Sequence, residues 1–163
     1  MTEFRTTRRV AFSPRQMFDL VADVEQYPNF LPLCESLTLR TRERIGDKEI
    51  MIADMTVGYM GMRQTFTSRV VVDATGLSVH AGSLAEYPSG PFRRLANDWR
   101  FLPASGGCDV VFAIAYEFKS LALGMLVGGL FDRVFRRYTR AFEDRARFVY
   151  ARVPAPSGAV KGQ

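Results

Sequence analysis

Between residues 2 and 118 apolar side chains recur at every second position, and between 122 and 152 at every third or fourth. The first spacing belongs to strands with one buried face, the second to a one-sided helix. Alternation predicts strands over 2–11, about 35–44, Lys48–Tyr59, Met62–Asp73, 77–84, 94–102 and 108–118. Met62–Asp73 is the clearest case, with Met62, Phe66, Val70 and Val72 on one side and Arg63, Thr65, Thr67 and Arg69 on the other. One such face is buried and the other meets water. In the last strand Val110, Phe112, Ile114, Tyr116 and Phe118 point inward. Gly46-Asp47, residues 58–61, Gly76 and residues 105–107 supply turns between neighbours.

Helix signals lie at the two ends. Ser13-Pro14 is an N-cap followed by a first-turn proline, predicting a helix over Pro14–Ala22 with Met17, Phe18 and Val21 on one face. Pro28 and Pro32 break residues 23–33, leaving room for one short further helix. The long carboxy-terminal helix carries Leu123, Leu126, Val127, Leu130, Phe131, Val134, Phe135, Tyr138, Phe142 and Val149 as its apolar stripe. Hairpin-linked strands with helices at the ends predict an α+β fold, an antiparallel sheet curled around the last helix. How well that helix covers the sheet decides whether the space between is packed core or ligand chamber. Residues 1–152 read as one domain. Residues 153–163, rich in Pro, Ala and Gly, are predicted to form a disordered tail.

Composition narrows the function classes. With 163 residues and 47% apolar content the chain builds one substantial core. Its longest apolar run, residues 121–131, is too short to span a bilayer, and no apolar signal segment opens the chain. A cytoplasmic protein is expected, with Cys34 and Cys108 as reduced thiols. Residues 1–119 are neutral, with 14 basic and 14 acidic side chains, whereas residues 120–152 carry seven arginines against Asp132, Glu143 and Asp144. A basic amphipathic helix points to an anionic partner, either a membrane surface or nucleic acid, or is simply a solvated face.

Candidate chemistry is sparse. The single histidine, His80, has neither a nucleophile elbow nor a cysteine signature beside it and reads as a surface or edge-strand residue. No metal-ligand spacing occurs, so no metal site is expected. The chain is instead rich in soft apolar groups, with 13 Phe, 7 Met and 6 Tyr. Met51, Met55, Met60 and Met62 cluster on neighbouring strands, where flexible thioethers suit either a core or a non-protein guest. Gly124, Gly128 and Gly129 fall within six residues of the long helix. Each costs about 1 kcal/mol relative to alanine, which implies either a segment that opens or close packing of helix on sheet.

Several segments resemble a known family. Residues 23–34, DVEQYPNFLPLC, are similar to the D-V-x-x-Y-P-x-F-L-P-W-C segment of the coenzyme Q-binding proteins, within the START-like (polyketide cyclase/lipid-transport) superfamily. Leu33 replaces the usual tryptophan. Gly90-Pro91-Phe92-Arg93-Arg94-Leu95 with Trp99-Arg100-Phe101 resembles the family's G-P-F-x-x-L and W-x-F, and Phe118-Lys119-Ser120, Phe131 and residues 141–146 resemble its ending. The resemblance implies a helix-grip fold with an apolar tunnel between sheet and helix. It implies non-catalytic binding of ubiquinone (coenzyme Q) or a similar polyprenyl lipid in support of respiration, with no other cofactor. Residues expected at the ligand are Phe30, Leu31, Met55, Phe66, Phe92, Trp99, Phe112, Ile114, Tyr116, Leu123, Leu126, Val127, Leu130, Phe131 and Phe135. Leu121, Leu123, Met125, Arg133, Arg136 and Arg137 are expected to touch the inner membrane transiently. The related ribosome-association toxins imply the alternative, a factor that binds ribosomal subunits and inhibits their association; no DNA partner is expected. An aromatase or cyclase on this fold would need acid-base groups in the cavity, for which Asp54, Tyr59 and Tyr116 are the weak candidates.

Overall fold

A computed structural model describes residues 1–151, so Arg152 and the expected tail at 153–163 lie outside the described residues. The order is β1 (Thr2–Val10), α1 (Pro14–Ala22), a 3₁₀ turn (Val24–Asn29), β2 (Cys34–Ile45), β3 (Lys48–Tyr59), β4 (Met62–Asp73), β5 (Ser78–Ser83), β6 (Phe92–Ala104), β7 (Gly107–Phe118), α2 (Leu121–Arg136) and α3 (Tyr138–Ala151). The strands form one antiparallel sheet in the order β1-β7-β6-β5-β4-β3-β2. Each hairpin pairs with its sequence neighbour. The one long excursion is from β1 to the opposite edge at β2, and α1 with the 3₁₀ turn makes it. Register shifts at Glu35 and Arg40 in β2 and at Arg93 in β6 interrupt the ladders, and such bulges add local bend and twist.

Local chemistry sets the boundaries. At α1 the Ser13 hydroxyl accepts from the Gln16 amide at 3.0 Å, while the Gln16 side chain accepts from the Ser13 amide at 2.9 Å. This reciprocal capping box satisfies two otherwise orphaned donors. Ser120 caps α2 by accepting from the Leu123 amide at 3.2 Å.

The carboxy-terminal helix departs from the expected unbroken rod: it bends at Arg137. There the Arg137 amide donates to the Val134 carbonyl three residues back, at 3.0 Å, and the α-helical pattern resumes with Ala141 donating to Arg137. The tightened turn leaves the apolar stripe in phase, so Phe131, Val134, Phe135, Tyr138 and Phe142 still follow one another along one side. Arg8 of β1 ion-pairs with Glu143 of α3, which also takes Arg147 at 3.1 Å. That buried carboxylate joins the helix to the sheet edge.

Two aromatic groups fill much of the space between sheet and helix. In one, Trp99 packs edge-on to Phe112 and Phe142, with ring centroids 4.6 and 4.9 Å away. In the other, Phe92 lies 5.0 Å from Phe131, 5.0 Å from Phe118 and 5.6 Å from Phe66. A β-carbon at Gly124 would stand 3.2 Å from the Phe118 ring, and one at Gly128 3.6 Å from it. These two glycines let the helix lie close on Phe118, whereas Gly129 faces solvent.

Two placements, Thr67 and Met62, differ from the alternation pattern. Thr67, expected in water, is buried because the 84–91 loop folds over it, with the Thr67 amide donating to the Pro88 carbonyl at 2.8 Å. Met60 and Met62 are exposed. Met60 forms the tight turn with Gly61, and Met62 is the first residue of β4 after it. His80 is a surface residue, as expected, on β5 in the middle of the sheet, its Nδ1 2.6 Å from Asp98.

Candidate functional site: an apolar cavity under the terminal helices

Between the two aromatic groups the side chains do not meet, and a cavity of about 100 Å³ remains. It is of the same order as the roughly 150 Å³ apolar cavity that accepts benzene in an engineered protein. Strands β2 to β4 contribute Leu37, Ala53, Met55, Val57, Phe66, Ser68 and Val70 to its wall, and β5 to β7 add Val79, Ala81, Leu95, Asn97, Trp99 and Ile114. The helices close it with Phe131, Val134, Phe135, Tyr138 and Phe142. Val24, Tyr27, Leu31 and Leu33 from the segment after α1 complete it.

The wall is mostly carbon, and most of its polar atoms are already engaged. The Tyr27 hydroxyl donates to the Val21 carbonyl at 2.5 Å. The Trp99 indole donates to the Asn97 oxygen at 2.8 Å, and the Asn97 amide donates to the Ala113 carbonyl at 3.0 Å. Burial pushes the Tyr27 and Tyr138 phenols above their ordinary range and the nearby Cys34 thiol up to about 11. These groups stay neutral at physiological pH. Leu33 holds a left-handed backbone, φ 68°, a conformation that costs a side-chain-bearing residue about 1–2 kcal/mol. It borders the cavity from the segment between the 3₁₀ turn and β2.

Of the residues expected at the ligand, Leu31, Met55, Phe66, Trp99, Ile114, Phe131 and Phe135 come together on this wall. Phe92, Phe112 and Tyr116 do not; they are buried within the aromatic groups at its ends. Phe30 packs 5.0 Å from Phe142 and under the Arg145 guanidinium. Val127 is buried outside the wall, and Leu123 and Leu130 sit on the flanks of α2. Leu126 is 64% exposed. Alternation and helical phase mark which face is inner, and the inner face is larger than the hollow it encloses. Sequence reasoning missed Leu37, Ala53, Val57, Val70, Val79, Ala81, Leu95, Val134, Tyr138 and Phe142, which carry the same apolar signal, and Val24, Tyr27 and Leu33, which lie in the proline-broken segment where no period holds. Ser68 and Asn97 are placed inward by the spacing of their neighbours (Phe66 and Val70, Leu95 and Trp99), but their polar side chains carry no apolar signal.

The outward face of α2 is divided. Leu121, Met125, Gly129, Arg133 and Arg137 follow one another at four-residue intervals, all exposed, with Leu121 at 88% and Met125 at 87%. Among the described residues Arg133, Arg137 and Arg140 have no ion-pair partner. Arg136 is committed, paired with Asp132 at 3.0 Å and stacked over Phe4 at 4.4 Å. No described helix is long and apolar enough to cross a membrane. The three residues considered for acid-base chemistry stand off the cavity: Asp54 bonds Thr67 and Arg40, Tyr59 packs on Phe131, and Tyr116 packs on Phe135.

Comparison with known proteins fits this architecture. The ribosome association toxin RatA of Rickettsia prowazekii (strain Madrid E) is 30% identical over 149 residues, covering 91% of this chain and 99% of the toxin. The mitochondrial coenzyme Q-binding protein COQ10 homolog B of Xenopus laevis is 30% identical over 161 residues, 96% of this chain, which spans 63% of that protein. Among solved structures the Zhui aromatase/cyclase of Streptomyces sp. R1128 superposes with a TM-score of 0.76 over 91% of this chain and 95% of its own, at 16% identity, a likeness of fold alone. The sequence model for polyketide cyclase/dehydrase and lipid transport matches residues 10–143. A curled antiparallel sheet gripping a bent terminal helix over an apolar hollow is the START-like architecture, and the chain belongs to the polyketide cyclase/dehydrase and lipid-transport family.

Proposed function

We propose that this protein is a non-catalytic carrier that holds ubiquinone or a similar polyprenyl lipid between its sheet and its terminal helices, supporting quinone function in respiration. The observation that carries the reading is the hollow itself, walled by aromatic and aliphatic carbon in a fold whose relatives include a coenzyme Q-binding protein. Burial of an apolar tail supplies affinity at about 25 cal/mol per Å². The hollow takes a group of about benzene's size, so a longer tail enters as α2 swings outward from the bend at Arg137. Leu121 and Met125 then insert into the headgroup boundary of the inner membrane, while Arg133 and Arg137 meet lipid phosphates. This is a transient, peripheral association on the cytoplasmic side.

The test is native mass spectrometry of freshly purified protein, with added ubiquinone monitored through Trp99 emission. A retained quinone and a saturable change in emission are expected. Protein free of lipid whose emission ignores quinone would exclude the carrier role.

A second reading draws on the toxin relatives and on the unpaired arginines of the helix: binding of ribosomal subunits through RNA phosphates, inhibiting their association. Such binding weakens steeply with salt. Salt-sensitive cosedimentation with ribosomal subunits would favour it, whereas flotation with anionic liposomes would favour the carrier.

A further inference from the structure

Two hydroxyls on the cavity wall stand apart from its other polar groups. Tyr27 and Asn97 spend their hydrogen bonds on the protein, but among the described residues neither Tyr138 nor Ser68 makes one. Tyr138 opens α3 just past the bend, its ring held between Phe112 at 6.0 Å and Phe135 at 5.6 Å. Tyr138 is half-buried and borders the hollow together with Tyr27. Ser68 sits on the inner side of β4 between Phe66 and Val70, opposite Ala53 and Ser83 in the neighbouring strands. Tyr138 is therefore on the helix wall and Ser68 on the sheet wall of the same hollow. A hydroxyl drawn out of bulk water into an apolar wall without a partner is costly. In an apolar chamber a bound molecule is the natural partner.

We propose that the Tyr138 hydroxyl is the hydrogen-bond donor that recognises a carbonyl oxygen on the ligand, with the Ser68 hydroxyl as a second, weaker contact from the sheet. The chamber then selects an apolar molecule bearing carbonyl acceptors over a pure hydrocarbon of the same length. This deepens the lipid-carrier reading and rests on it. It adds a direction: the carbonyl-bearing head goes inward to the start of α3, and the tail trails toward α2 and its exposed apolar end.

Decylubiquinone and n-decylbenzene serve as probes, titrated into the full-length protein and read through Trp99 emission. Tyr138→Phe removes a single oxygen and keeps the ring packing. Losing the donor is expected to weaken decylubiquinone binding roughly tenfold and leave n-decylbenzene binding unchanged, with Ser68→Ala acting in the same sense but less. In the empty protein Tyr138→Phe is expected to hold or raise the melting temperature, since it deletes an unpaired polar atom. Unchanged decylubiquinone affinity in Tyr138→Phe would overturn the anchor and leave the carrier reading intact. A lowered melting temperature of the empty variant would also overturn it, by revealing a structural partner for the hydroxyl. Failure of wild-type protein to bind either probe would remove the carrier reading and the anchor together.

Discussion

Gly90 holds a left-handed backbone, φ 60°, in the loop before β6, and a β-carbon there would fall 1.9 Å from the Phe66 ring. Only glycine combines that conformation with that approach. Gly90→Ala is expected to cost about 2–4 kcal/mol, from left-handed strain and overpacking together, and to push Phe66 off the cavity wall; urea denaturation reads the loss. Asp54 makes a different kind of local contribution. Partial burial pushes its carboxyl upward, but the Thr67 hydroxyl at 2.6 Å and the Arg40 guanidinium outweigh this and hold it below the ordinary range. A carboxyl depressed by folding stabilises the fold above its unfolded value, about 4, and loses that contribution as pH falls through its lower folded value. Stability should therefore decline on the acid side of about pH 4, with a shallower decline in Asp54→Asn, as measured by melting temperature against pH.

At the scale of elements, α2 and α3 share one apolar stripe but are secured differently. The Arg8–Glu143–Arg147 cluster and Phe142, which packs on Trp99, tie α3 down. On α2, by contrast, the outer face is bare from Leu121 to Arg137. Gly129 belongs to that bare face; its added β-carbon would meet only the Arg133 guanidinium, at 3.7 Å. Gly129→Ala is thus expected to stabilise by about 0.5–1 kcal/mol through helix propensity alone, measurable as a raised urea midpoint. That glycine serves no packing purpose, and under the proposed uptake route, in which α2 swings outward, its low helix propensity eases the movement. Slower quinone uptake in the stabilised variant, followed by stopped-flow Trp99 emission, is the functional counterpart.

For the whole molecule, the consequential quantity is the volume left between sheet and helix. Ala53 borders it from β3, almost fully buried. Ala53→Phe would place a ring in the void. Filling existing space costs less than the 1–3 kcal/mol typical of overpacking a filled core, so the variant is expected to fold with a melting temperature near that of wild type. It should lose quinone binding by Trp99 titration. Retained binding would mean that the lipid sits elsewhere on the molecule.

The chain's own periodicities carried most of the architecture. Period two located seven strands to within a few residues, because a half-buried strand must alternate its side chains, and Lys48–Tyr59 and Met62–Asp73 were legible to the residue. The Ser13-Pro14 signal placed α1, since capping is chemistry between near neighbours, and the family motifs spoke for the grip on the final helix. What needed three dimensions was whatever depends on distant groups meeting. Phe92, Phe112 and Tyr116 carry the same inward signal as Trp99 and Ile114, yet only the latter two face the void; the former three are covered by neighbouring rings. Thr67 reads as wet until the 84–91 loop closes over it, and Tyr138 reads as one more stripe residue until its hydroxyl is seen to have no partner among the described residues. Periodicity reports which face is buried because burial is a property of one element. Whether buried faces meet or stand apart is a property of all of them together, so the hollow and the unpaired hydroxyls that mark it belong to the tertiary structure alone.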